Sequence, residues 1–191
     1  EQAHEVFFRE FGDIAALFGQ GLEIKLRPAR GVSIKEIIND VPYNSTEDGA
    51  YVLRPGDLRS DDLRNIVVVL EVNGGEAGDA VSLVTAELSF YNLVEGSRLE
   101  KHDAAVMVNF KARPSDGYNK TVRLEALIAA SSRAMIEASR ITNEKDLSAA
   151  RDVLNGMIRR LESHIQLDKE TIERLIRRLQ EMERNLEENL N

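Results

Sequence analysis

Residues 80–93, AVSLVTAELSFYNL, alternate with a period of two, and that period decides the fold. Val84, Ala86, Leu88 and Phe90 share one face, whereas Val81 and Leu83 have the opposite parity. A β-bulge near Leu83, one extra residue in the strand, reconciles the two sets. Immediately upstream, NGGEAGD (73–79) reads as a glycine-rich hairpin turn, and NIVVVLEV (65–72) is the most β-prone stretch of the chain. Downstream, EGSRLEKHD (95–103) turns the chain into a last strand in which Ala104, Val106, Val108, Phe110 and Ala112 alternate.

Working further towards the N-terminus, Leu22, Ile24 and Leu26 alternate with Glu23, Lys25 and Arg27, a strand with one wet face. Pro28 and Gly31 mark a turn before a second strand carrying Val32, Ile34 and Ile37. VPYNSTEDG (41–49) and RPGDLRSDD (54–62) read as loops on either side of a short strand around Tyr51 to Leu53. That makes six or seven strands with turn signals every ~8–12 residues, the spacing of an antiparallel β-sandwich. No long helix intervenes between strands, which argues against a doubly wound parallel sheet.

Both ends of the chain change period. Residues 3–18 read as a helix stopped by Gly19 and Gly21, with Phe7, Phe11, Ile14 and Phe18 along one side. After RPSDGYN (113–119) three helices follow. The first, about 119–141, carries Leu124, Leu127, Ile128, Ser131, Met135 and Ala138 on one stripe. TNEKD (142–146) breaks it, with Asn143 as the expected N-cap of the second helix, whose stripe is Leu147, Ala150, Leu154, Met157, Ile158, Leu161 and Ile165. Asp168 is the expected cap of the third, with Ile172, Leu175, Ile176, Leu179, Met182, Leu186 and Leu190. The expected class is therefore α+β: an N-terminal helix (1–19), a sandwich (20–116) and a three-helix element (117–191).

Composition narrows the function classes. The 191 residues carry a net charge of −8, which opposes general attraction to nucleic acid or anionic lipid. There is no cysteine, so disulfides, zinc ribbons and thiol catalysis are excluded together. The longest apolar runs are too short to span a bilayer. Nothing at the start reads as a signal peptide, but the numbering can begin inside a longer protein, so the compartment stays open with the cytoplasm favoured.

No metal site is expected. Asp57, Asp61 and Asp62 lack the alternating spacing of a calcium loop, as does NSTEDG (44–49). His4, His102 and His164 lie in three separate segments with no ligand spacing. Asn44 and Asn119 open glycosylation-type triplets, a pattern common by chance. No nucleophile elbow, dinucleotide fingerprint or Walker loop occurs. Arg159, Arg160, Arg174, Arg177, Arg178 and Arg184 alternate with glutamates, the pattern of a solvated helix face rather than an RNA surface.

EVFFREFGDIAALFGQGLEIKLRPARGVSI (5–34) and GAYVLRPGDLRSDDLRNIVVVLEV (49–72) resemble a segment of bacterial and archaeal von Willebrand factor A-domain proteins. The group in question is related to calcium-activated chloride channel and inter-α-trypsin inhibitor heavy-chain proteins. There the last helix of the A domain runs into a β-sandwich, and ASRITNEKDLSAARDVL (138–154) is similar to the helices that often follow. A-domains of this kind hold a divalent cation through an Asp-x-Ser-x-Ser loop, and no such loop occurs in this sequence. The resemblance therefore implies the region after the A domain, with residues 3–18 as that domain's final helix and with no cofactor of its own. It implies a non-catalytic accessory role: holding the A domain of the same protein, meeting a protein partner, or forming a homo-oligomer. Phe7, Phe11, Ile14 and Phe18 are the expected contact residues. The rival expectation is a small hydrolase on a sandwich scaffold, which would show a concave pocket with convergent polar groups.

Overall fold

The computed structural model describes residues 17–74, 76, 78–110, 118–143 and 146–188. Among the described residues, seven strands come first: β1 (Leu17–Pro28), β2 (Val32–Ile37), β3 (Tyr43–Ser45), β4 (Tyr51–Arg59), β5 (Val68–Val72), β6 (Ala80–Asn92) and β7 (Arg98–Asn109). Three helices follow: α1 (Lys120–Asn143), α2 (Leu147–Glu162) and α3 (Lys169–Glu188). Five strands form one antiparallel sheet in the order β3-β4-β1-β6-β7, and β2 and β5 form a separate ribbon. The expected α+β class with a C-terminal three-helix element is what the chain adopts.

Within the sheet, β1 lies at the centre, paired to β4 on one side and β6 on the other. Ile24 faces Leu53 and Leu88 across the two ladders, and Leu26 faces Tyr51 and Ala86. Leu22, Leu26, Leu53, Val84 and Phe90 are buried on this aliphatic side. The bulge expected in β6 is present. Ser82 pairs with Met107 and Val84 with Val106, so Leu83 is the extra residue, and its carbonyl accepts the Ala29 N–H at 2.8 Å.

The start of β1 corrects the end of the helical reading of 3–18, whose residues 3–16 lie outside the described residues. Leu17 pairs with Arg59, and Gly19 with Leu58 and Asn92, so Phe18 and both glycines belong to a strand. Gly21 has φ 65°, a left-handed conformation that glycine adopts without penalty, and it sits where the β1–β6 register shifts. Two further loops also differ from the sequence reading. Tyr43–Ser45 is the short edge strand β3, and β4 continues through Pro55 and Gly56 to Arg59. The β1–β4 register slips between Leu22/Gly56 and Ile24/Leu53. An irregularity of this kind is where a strand tolerates a proline.

The helical unit comprises 115–191 together with 36–40 and 65–69, so the division of the chain is not a single cut near residue 116. Ile37 and Ile38 are buried, and the Ile38 N–H donates to the Val67 carbonyl at 2.9 Å. Arg133 of α1 donates to Glu36 at 2.5 Å, and Asn65 donates to Glu125 at 2.8 Å. The core of the unit is the three stripes read from sequence. Leu127, Leu154, Leu161, Ile172 and Leu179 are each no more than 1% exposed. Ala134, Ala138 and Ala150 are buried with them, and such small residues allow close approach of helix backbones. Ser131 is fully buried and satisfies its hydroxyl on the Leu127 carbonyl one turn back, at 2.7 Å. Asp168 caps α3 as expected, accepting the Thr171 N–H at 3.0 Å. The cap of α2 is Asp146 rather than Asn143, since Asp146 accepts the Ala149 N–H at 3.0 Å and Asn143 is the last residue of α1.

Candidate functional site

The polar side of the five-stranded sheet holds a shallow depression of about 480 Å³. Period-two alternation puts Lys25 and Arg27 of β1, Thr85 and Glu87 of β6, and Asp103 and Ala105 of β7 on this side, with Ala86 and Ala104 completing the lining. The turn between β3 and β4 reaches the same side. Gly49, at φ 76°, closes the turn by donating to the Thr46 carbonyl at 3.0 Å. That sets Asp48 to accept a hydrogen bond from Arg27 at 2.5 Å, with the Lys25 ammonium 4.0 Å away.

The Thr46 hydroxyl also donates to Asp48. That bond first, and the Arg27 hydrogen bond second, hold the Asp48 carboxyl down at about 2, against an ordinary 3.8. Neighbouring charges pair likewise: Arg54 with Glu23 at 3.2 Å and Lys101 with Glu87 at 3.8 Å. The face is thus a lattice of exposed ion pairs, each worth little to stability. A general acid at neutral pH needs a raised carboxyl pKa, whereas Asp48 and Asp62 are held low.

This arrangement carries a pH prediction. A carboxyl whose folded pKa lies below its unfolded one stabilises the fold above about 3.8, and that contribution is lost as pH falls through about 2. In a side-chain carboxyl NMR titration Asp48 should have its midpoint near 2, and Thr46→Val should move it up towards 3.8. A wild-type midpoint already at 3.8 would mean that the turn does not hold its contacts in solution.

Two of the three acids in 54–62, Asp57 and Asp62, are engaged in structural contacts. Asp57 accepts the Gly21 N–H at 2.8 Å and so locks the bulge of β1 to β4. Arg64 donates to the Pro55 and Asp57 carbonyls, each at 2.5 Å, and to the Asp62 carboxylate at 2.7 Å. The Arg59 N–H and then Arg64 lower the Asp62 pKa. Asp61 is exposed. Among the described residues, no group of three or more His, Asp or Glu side chains could hold a metal ion.

The histidines are not brought together. His102 is exposed on β7, stacked at 6.2 Å on Phe90 and 3.5 Å from Glu100. His164 lies in the helical unit, with Nε2 3.0 Å from Arg123 and Nδ1 2.9 Å from both the Ser163 hydroxyl and the Arg160 carbonyl. His4 lies outside the described residues. Asn44 accepts from Arg54 at 2.5 Å, and Asn119 caps α1 through the Val122 N–H at 3.1 Å, so both asparagines have structural roles. The six arginines Arg159, Arg160, Arg174, Arg177, Arg178 and Arg184 are all exposed on α2 and α3.

Of the expected contact residues, Phe7, Phe11 and Ile14 lie outside the described residues. Phe18 is half-buried in β1, its ring 5.6 Å from that of Phe90. The exposed apolar residues of the sheet lie elsewhere. Tyr91, Leu99, Val106 and Met107 are 51%, 47%, 53% and 58% exposed, three of them on β7. Ala104, Val106 and Val108 share one side of β7, in keeping with the alternation read from sequence. Only Val108 is even half-buried, because β7 is the outermost strand.

No family model and no curated protein matches the chain. Among solved structures it is similar to a von Willebrand factor type A protein from Catenulispora acidiphila, with a TM-score of 0.61 and 14% sequence identity. The match covers 92% of this chain and 42% of that one, so this chain spans less than half of its length. At that identity the likeness is one of fold. The fold of nearly the whole chain recurs inside a longer protein named for its von Willebrand factor type A character.

Proposed function

We propose that this chain is a non-catalytic accessory region that follows the A domain of a von Willebrand factor A-domain protein, supporting that domain and mediating assembly with protein partners. The observation that carries the reading is the shared fold over 92% of this chain and only 42% of the similar structure, which leaves that longer chain room for a further domain. Two features agree with it. The described sheet is antiparallel and followed by a helical bundle, and the sequence has no Asp-x-Ser-x-Ser loop. The polar face of the sheet is a set of paired charges, suited to docking or solvation rather than turnover. No described helix is long and apolar enough to cross a membrane. In this reading any divalent cation belongs to the A domain and not to this chain.

The test is to read the coding sequence on the N-terminal side. An Asp-x-Ser-x-Ser loop within about 200 residues, a normal domain length, is the expected finding, and a different domain there would sink the reading. A second measurement addresses the cation. Millimolar magnesium or calcium should leave the melting temperature of this chain unchanged relative to a monovalent control of equal ionic strength. Selective binding to the native state would instead raise it.

A further inference from the structure

The five-stranded sheet has two edges of very different kinds. One is β3, only three residues long. The other is β7, twelve residues long and paired among the described residues only to β6. In an antiparallel strand every second residue directs its N–H and C=O away from the neighbour it already has, so β7 presents a row of backbone donors and acceptors outward. Edges of this length are commonly protected by charge. Glu100, Lys101, His102 and Asp103 supply that protection in the first half of β7, but residues 104–108, AAVMV, carry no charge at all. Ala104, Ala105, Val106 and Met107 are exposed there.

We propose that β7 pairs antiparallel with β7 of a second copy about a two-fold axis at Val106, joining the two five-stranded sheets into one continuous sheet. The sequence of the strand selects that register. With the axis at Val106, Ala104 opposes Val108, Ala105 opposes Met107 and Val106 opposes itself, so small side chains meet large ones. The carboxylate of Asp103 falls opposite Asn109, where β7 ends. Shifting the axis to Ala105 sets Asp103 against Met107, and shifting it to Ala104 sets Lys101 against Met107. An axis at Asp103 opposes two carboxylates. Each of these places a charge against an apolar side chain or a like charge, which cross-strand pairs disfavour, and an axis at Met107 pairs only residues 105–109 before β7 ends. The chosen register extends both sides of the sheet: Ala104, Val106 and Val108 meet their counterparts on one, Ala105 and Met107 on the other. The proposal rests on the sheet edge alone and does not depend on an A domain lying upstream.

Because residue 106 meets itself across the axis, one position provides its own control. Sedimentation equilibrium of the full chain should show a dimer. Val106→Lys and Val106→Glu should each weaken it on the order of a hundredfold, since like charges then face each other directly. An equimolar mixture of the two variants should form the heterodimer again, now with opposite charges opposed. A wild type that stays monomeric at the highest attainable concentration overturns the proposal. So does a Val106→Lys protein that still dimerises, or a pair of monomeric variants that fail to combine. Should either variant not fold, amide exchange of the wild type decides. Alternate amides between 103 and 109 should slow as protein concentration rises, and rates independent of concentration overturn the pairing.

Discussion

Leu179→Ala is expected to destabilise the helical unit by about 2–5 kcal/mol, the usual range for truncating a buried leucine. Leu179 is fully buried, in one core with Leu127, Leu154, Leu161 and Ile172. Among the described residues of the unit Ser131 is the one buried polar residue, and its hydroxyl is already satisfied, so a vacated volume there offers ordered water no free polar partner. The measurement is chemical denaturation followed by far-ultraviolet circular dichroism, which reports chiefly on α1, α2 and α3. Because the chain comprises two units, the transition must be followed with a second probe in the sheet before a single free energy is assigned. A helical midpoint displaced by less than the equivalent of about 1 kcal/mol would mean that the stripe is not the core of the unit.

The second large effect is expected at Gly19. A Cβ built on this residue would lie 2.6 Å from Cδ2 of Phe90 and 3.1 Å from its Cε2, well inside van der Waals contact. Phe90 is itself 5% exposed and held between Phe18 and His102, at 5.6 and 6.2 Å between ring centroids. Its ring therefore has little freedom to withdraw. Gly19→Ala should cost about 1–3 kcal/mol through overpacking, an effect not shared by an alanine at an exposed strand position. A double-mutant cycle assigns the cause. Phe90→Leu removes the ring edge, so the Gly19→Ala penalty should shrink sharply in that background. An undiminished penalty would place the cost in the backbone of β1 instead.

Gly19 also shows where the sequence misled. Two glycines after an amphipathic run read as a helix stop, because glycine supplies the left-handed residue that ends many helices. The same property serves a β-bulge, and Gly21 uses it there, while Gly19 makes room for an aromatic ring. Local chemistry is identical in the two cases. Only the presence of β4 and β6 on either side of β1 distinguishes them. The cap of α2 was misread for a similar reason. Asn143 and Asp146 are equally able to cap, and the choice depends on where α1 ends.

Features that repeat at short range were legible in the residues alone. The bulge at Leu83 follows from a change of parity within one strand, and the three helical stripes follow from a 3.6-residue period that only a helix can bury on one side. The cap at Asp168 belongs to the same class, since its partner Thr171 is three residues away. Features that depend on distant neighbours emerge only once the chain is folded. Arg27 and Asp48 lie 21 residues apart, and Arg133 and Glu36 lie 97 apart, so no local pattern announces either pair. The exposure of Val106 is of the same kind. Its alternation with Ala104 and Val108 is that of a covered strand, but whether a strand is central or outermost is fixed by the order β3-β4-β1-β6-β7. A side-chain period specifies which residues share a face. The number of strands standing beside them decides how much of that face is covered, and that number is a property of the sheet.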